Sequence, residues 1–230
     1  MRRTVRSRKF GRIVAFVIVI LLVSGVFSWG VNALFTIRSV EVAGVGIGIA
    51  VDQTKLPKNL LFFPVDEVRK QILKDYPLVG SVTVKKKYPG TLVITAIPRK
   101  PFAIAGVGRE TYALDVDGVV LSQYPSQNDL PIISIAMLPM QPGSTVSDPA
   151  VMAAVRFLRE TASVVAVSEI TGFDASSLQA RAESMSIVFP QNADILVLAR
   201  TLQTITAGFR IKGKLPTTID LRFDKPVVTF

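Results

Sequence analysis

The run Ile13–Leu34, IVAFVIVILLVSGVFSWGVNAL, carries no charged residue. A helix built from it is apolar on every side, which excludes an ordinary surface helix. At about 1.5 Å per residue the run makes a helix of roughly 33 Å, long enough for a hydrocarbon core of about 30 Å. Ser28 and Asn32 fall toward its far end beside Trp29, and an indole prefers the membrane–water boundary. The run reads as a single transmembrane helix.

Its flanks predict the orientation. Arg2, Arg3, Arg6, Arg8, Lys9 and Arg12 precede the span with no acidic residue among them, and the basic flank of a first span stays in the cytoplasm. The expected topology is single-pass type II in the cell (inner) membrane. The N-terminus is then cytoplasmic and the bulk periplasmic or extracytoplasmic. A cleaved signal peptide is the competing reading, with Val31-Asn32-Ala33 as a tolerable cleavage site. The apolar run exceeds the 7–15 residues of a typical signal core, which favours an anchor. The chain carries 27 basic and 17 acidic residues and a net charge of +10. Most of that excess is the N-terminal cluster, so a nucleic-acid partner is not expected. There is no cysteine, hence no disulfide.

Beyond the span, Ile37–Val45 alternates, with Val40 and Val42 on one face, as a half-buried strand does. Gly44-Val45-Gly46-Ile47-Gly48 invites a dinucleotide-loop reading, but the last glycine of the fingerprint is missing and no helix follows before Pro57. It reads as a strand exit. Pro64 precedes a helix with Asp66 and Glu67 in its first turn and Val68, Ile72, Leu73 and Tyr76 on one face; Pro77 stops it. Strands Ser81–Lys87 and Thr91–Ile97 follow, joined by Tyr88-Pro89-Gly90, with Val82, Val84, Leu92 and Ile94 inward. Asp117-Gly118 between two alternating runs signals a type I′ hairpin. After a buried strand at Leu130–Ile133 and a proline-punctuated loop from Met137, Asp148 and Pro149 open a second helix. Strands at Ala166–Phe173, Leu178–Glu183 and Met185–Phe189, a helix over Asp194–Phe209 and a closing segment, Thr217–Phe230, complete an α+β chain. The expected divisions are a cytoplasmic tail (1–12), the span (13–34), a small β-α-β-β domain (35–102) and a mixed or antiparallel β domain with two helices (103–230).

Catalytic chemistry finds little support. The chain has no histidine and no cysteine, which removes the commonest general base, most zinc ligands and any thiol nucleophile. No Walker A, G-x-S-x-G or S-x-x-K spacing occurs. Asp115 and Asp117 resemble a carboxylate pair but fit turn residues better. The expectation is a non-enzyme with no catalytic, cofactor-binding or metal residues.

The run from Leu60 to Ala103 resembles the membrane-proximal POTRA domain of the FtsQ/DivIB cell-division proteins. The features that carry the likeness are Phe62-Phe63, Tyr76-Pro77-Leu78-Val79, the basic strand into Tyr88-Pro89, Thr91-Leu92-Val93-Ile94, and Arg99-Lys100-Pro101-Phe102-Ala103. Pro98 stands where that family usually carries a glutamate. Tyr112–Leu121 resembles the family's hairpin after the POTRA domain, and Thr217–Phe230 its last strand, including Asp220-Leu221-Arg222. The likeness is strongest over 60–121 and 219–223.

The resemblance implies a bitopic scaffold of the divisome at the septum, holding FtsB-like and FtsL-like bitopic proteins through its last strand and other division proteins through the POTRA domain. A C-terminal strand tends to lie on a sheet edge with unpaired N–H and C=O groups, open to β-augmentation. With the sequence printed to Phe230, no tail is expected to cover it. The implied contact residues are Arg222, Phe223, Lys225, Val227 and Phe230, although Pro226 cannot donate a ladder hydrogen bond. A homodimer through the same edge is a further possibility. The basic run Lys85-Lys86-Lys87 fits a solvated face. The alternatives are a POTRA-type chaperone for exported polypeptides and an anchored envelope hydrolase.

Overall fold

The computed structural model describes residues 4–44, 57–107, 110–123, 129–183, 185–211, 213 and 216–230, with only the backbone of 4–13 and 15. Arg2 and Arg3, the side chains of Arg6, Arg8, Lys9 and Arg12, and residues 45–48 of the glycine-rich strand exit lie outside the described residues. The fold is α+β and divides into two units: the segment up to Asp75 with Ser81–Ile97, and Tyr76–Gly80 with Pro98–Phe230.

In the first unit, α1 (Thr4–Leu34) begins earlier than the apolar run alone predicts, carrying the helix through the basic flank. Phe16–Leu34 is long and apolar enough to cross a bilayer, and none of it is buried within the protein. Ser24 returns its hydroxyl to the carbonyl of Leu21 at 3.0 Å, so this mid-span polar group has a partner within the helix.

The remainder of the unit is a three-stranded sheet with one helix: β1 (Ser39–Ala43), α2 (Val65–Asp75), β2 (Val79–Lys87) and β3 (Thr91–Pro98), in spatial order β1-β3-β2. β1 runs parallel to β3, pairing Val40 with Leu92 and Val42 with Ile94. The inward set Val82, Val84, Leu92 and Ile94 is buried as its period demands, and Ile72 of α2 is buried with Leu60 and Phe63. Val42 shares the face of Val40 but remains 45% exposed because β1 is the edge strand.

The second unit is a nine-stranded mixed sheet in the order β12-β11-β10-β9-β8-β7-β4-β5-β6. Its strands are β4 (Ala103–Val107), β5 (Glu110–Leu114), β6 (Val120–Gln123), β7 (Ile132–Ser134), β8 (Val167–Gly172), β9 (Ser177–Ala182), β10 (Met185–Pro190), β11 (Thr218–Asp220) and β12 (Val227–Thr229). Pairing is parallel at β4/β7, β7/β8 and β10/β11, and antiparallel at the other five junctions.

The helices α3 (Pro149–Thr161) and α4 (Ile195–Ile211) contribute to one core with the sheet. Asp148 caps α3 as its position before Pro149 predicts, accepting from the N–H of Ala150 and Val151. The central contact is Phe157 of α3 stacked on Phe189 of β10, ring centroids 4.0 Å apart and both fully buried.

Two expectations need correction. The turn after β5 is not type I′. That form needs positive φ at both central residues, and only Gly118 has it, at 77°. Asp115 dictates the shape instead, its Oδ1 accepting the N–H of Asp117 at 3.0 Å and of Val119 at 2.7 Å. The closing segment 217–230 is not one strand but the hairpin β11–β12, closed by the pair Asp220↔Val227. Asp220 takes the N–H of Arg222 at 3.0 Å, which curls the chain out of β11, and Pro226, without an N–H, stands just before β12.

Candidate partner-binding site

β12 is an edge strand of the nine-stranded sheet. Thr229 gives its carbonyl to the N–H of Thr217 at 2.9 Å, so it faces β11. Backbone groups alternate in direction along a strand, so Val228 turns its N–H and C=O to the open side. Its side chain is half-buried, whereas those of Val227 and Phe230 are 52% and 53% exposed. Phe230 is anchored nonetheless, edge-on against Phe209 of α4.

The expected contact residues separate into two groups. Val227 and Phe230 belong to the edge. Arg222, Phe223 and Lys225 lie in the loop 221–226, where Leu221 is buried and Phe223 is 57% exposed. Beside this loop, Pro190, Ala193, Val197, Leu198 and Thr201 line a hollow of about 310 Å³ closed by Leu221, Arg222, Phe223, Asp224 and Pro226. Leu196 and Val197 in the first turn of α4 are about half exposed, and Val197 lines the hollow.

Arg222 is committed internally. Its guanidinium forks onto Asp220, with Nε at 3.0 Å from Oδ1 and Nη2 at 2.7 Å from Oδ2, and Nη1 reaches Asp174 at 3.2 Å. It also lies over the Phe173 ring, 4.9 Å from the centroid, and 5.6 Å from that of Phe223. This bidentate pairing rigidly aims the loop. The hydrogen bond from Arg222 holds the Asp220 carboxyl below its ordinary pKa, against a smaller opposing effect of burial. Asp174 is held low first by the backbone N–H of Ser176. The i, i+2 spacing of Asp220 and Arg222 was readable in the sequence; the contribution of Asp174, in the turn between β8 and β9, was not.

A second ionic cluster braces the start of this unit. Arg99 donates Nε to the carbonyl of Pro77 at 2.9 Å and Nη1 to Asp117 at 2.9 Å and to the buried Asp115. Burial disfavours the charge on Arg99, yet the hydrogen bonds to Asp115 and Asp117 outweigh it and leave its pKa raised. The two carboxylates are therefore structural partners of an arginine. Among the described residues no group of three or more Asp, Glu, His or Cys is placed to hold a metal ion.

Comparison with known proteins agrees with the first unit. The family of POTRA domains, FtsQ-type, matches residues 49–95. The protein Cell division protein FtsQ of Bradyrhizobium diazoefficiens is 41% identical over 78 residues, covering 33% of this chain and 22% of that protein. The match thus spans only about a fifth of the length of the curated relative. These comparisons support a POTRA domain of the FtsQ type within the first unit, where the chain is similar to Cell division protein FtsQ of Bradyrhizobium diazoefficiens.

Proposed function

We propose that the chain is a bitopic scaffold of the bacterial cell-division machinery. It is anchored by α1 with its N-terminus in the cytoplasm, and it binds small single-span division proteins of the FtsB and FtsL kind outside the membrane. The observation that carries this reading is the open β12 edge beside the hollow that α4 and the 221–226 loop line with both apolar and polar side chains. An incoming strand gains backbone hydrogen bonds along the edge, and an apolar side chain next to it has a hollow of about 310 Å³ to enter. Phe223 and Val227 supply exposed apolar surface at the join, and Arg222 fixes the loop that presents it. The likeness of the POTRA unit to Cell division protein FtsQ supports the cellular role. In this reading the protein works at the septum by binding rather than catalysis, with further division proteins meeting the POTRA domain.

The test is depletion and rescue. Loss of the protein should arrest division, and the intact chain should restore it. Val228→Pro removes the outward N–H while leaving the inward-facing groups of Val227 and Thr229, so it should fail to rescue although the protein accumulates and reaches the membrane. Full rescue by Val228→Pro would refute edge pairing. Normal division after depletion would refute the cellular role.

A further inference from the structure

The junction between the span and the POTRA unit carries a second surface. Asn32, in the last turn of α1, and Asn59 are joined side chain to side chain at 2.7 Å. Around this bond the backbone is stitched at several points: Thr36 bridges to Asn59, Leu60 N–H donates to the Phe35 carbonyl at 2.7 Å, and Ile37 N–H donates to the Lys58 carbonyl at 2.8 Å. Asn59 then turns the following residues by accepting the N–H of Leu61 at 2.9 Å. The 58–63 loop is thus fastened at the level of the helix end.

That level is marked by Trp29. Trp29 and Asn32 are three residues apart and so share a face of α1, separated by about 4.5 Å along its axis. An exposed indole at the end of an apolar span sits at the headgroup boundary, and the interfacial layer adds roughly 5–7 Å on each side of the hydrocarbon core. The loop tethered to Asn32 consequently falls inside that layer. Its side chains fit the location: Leu60 and Phe63 are buried in the domain, but Phe62 is 77% and Leu61 40% exposed. Tyr88, 54% exposed in the β2–β3 turn, reaches the same place and packs edge-on against Phe35 at 5.6 Å. Lys58 is exposed, and Lys86 caps the Leu61 carbonyl at 2.9 Å. Aromatic rings with basic side chains around them match the chemistry of a phospholipid headgroup layer.

We propose that the POTRA unit contacts the extracytoplasmic leaflet of the bilayer that α1 crosses, with Phe62 and Leu61 inserted among the headgroups and Tyr88 completing an aromatic collar with Trp29. The occupant of this surface is lipid. The function is to hold the domain at a fixed height and tilt, so that α1 and the POTRA unit move as one body. The inference rests on the membrane-anchor part of the proposed function, and its test separates the two.

Because the chain has no cysteine, single nitroxide labels can be placed without background. Phe62→Cys, Leu61→Cys, Trp29→Cys and, as a water-exposed control, Lys74→Cys are labelled in the full chain reconstituted in phosphatidylethanolamine–phosphatidylglycerol nanodiscs. Collision with oxygen and with a water-soluble nickel chelate then reports depth. The proposal expects labels at 62 and 61 to match the depth at 29 to within one helical turn, with access to the chelate severalfold lower than at 74. Chelate access at 62 equal to that at 74, with 29 buried, would overturn the lipid contact and leave the span intact. Shielding at 62 from both reagents would mean a protein covers the loop and would also overturn it. Full chelate access at 29 would refute the span, and this contact with it.

Discussion

Phe230 packs edge-on against Phe209, with ring centroids 5.1 Å apart and the planes at 75°. The contact ties the residue following β12 to the last turns of α4, so the edge strand is held in place before any partner arrives. Pre-ordering of this kind lowers the entropy lost when a second strand pairs.

Removing either ring should loosen the edge. An aromatic pair contributes about 0.5–1.5 kcal/mol beyond its buried area. Phe209→Ala and Phe230→Ala should therefore each raise hydrogen exchange at Val227–Thr229 with little change in the core strands. The double variant should add little to either single one, which hydrogen-exchange mass spectrometry can check.

Arg222 should tolerate no conservative replacement. Lysine keeps the charge but cannot make the two-pronged contact with Asp220 while also reaching Asp174. Arg222→Lys and Arg222→Ala are both expected to disorder the 221–226 loop and weaken partner capture, leaving the melting temperature nearly unchanged. Limited proteolysis at the loop, compared with thermal melting, separates these effects.

The same clasp sets an acid limit. The Asp220 carboxyl has its pKa lowered in the folded protein by the hydrogen bond from Arg222. Its contribution is therefore fully present above the ordinary aspartate value of about 3.9 and is lost as pH falls through the lower folded value. Loop protection should be flat from neutral pH down to about 4.5 and fall only below about 4, with Asp220→Asn shrinking the transition to the part that Asp174, also held low, contributes. A transition centred near neutral pH would contradict this assignment.

Arg99 and Asp115 form a more deeply buried ion pair than Arg222 and Asp220. Asp115 is 3% exposed and already holds two backbone N–H groups of the turn. Arg99→Ala would strand that carboxylate and should destabilise the second unit by about 2–4 kcal/mol, measured by urea denaturation. Asp115→Ala should cost a similar amount and release the turn as well.

Among the described glycines, Gly106 is the position where a side chain is least tolerable. Its φ is 126°, and a Cβ there would overlap the Glu110 carbonyl across the β4–β5 pair. Gly106→Ala should destabilise the unit by at least about 2 kcal/mol, since the strain is in backbone and cannot relax through a rotamer. The same denaturation assay measures it.

What the sequence made legible follows physical range. The long apolar helix α1, α2 and the β2–β3 pair are written in composition, periodicity and punctuation, with α2 and the pair formed where Pro64, Pro77 and Tyr88-Pro89-Gly90 delimit them. The cap at Asp148 is equally local. The turn at Asp117-Gly118 departs from type I′ because Asp115 takes the N–H groups of Asp117 and Val119, a choice that alternation and the Asp-Gly pair do not encode, and Arg99 holds the same carboxylate. The closing segment departs from a single strand because, although alternation continues past Asp220, the carboxylate takes its own downstream N–H and guanidinium, with Asp174 added from a turn 48 residues away in sequence. At the candidate site, Val227 and Phe230 were legible as edge residues. The hollow beside α4 was not, since Pro190, Val197 and Leu221 meet only in three dimensions.

The most direct test is photo-crosslinking from a probe at Val227, and separately at Phe223, in dividing cells, followed by identification of the captured chains. The account predicts that both positions capture the same small single-span division proteins, and that Val228→Pro abolishes capture at 227. Capture of outer-membrane barrel precursors, of only a second copy of this chain, or of the same proteins at undiminished yield in Val228→Pro would contradict it.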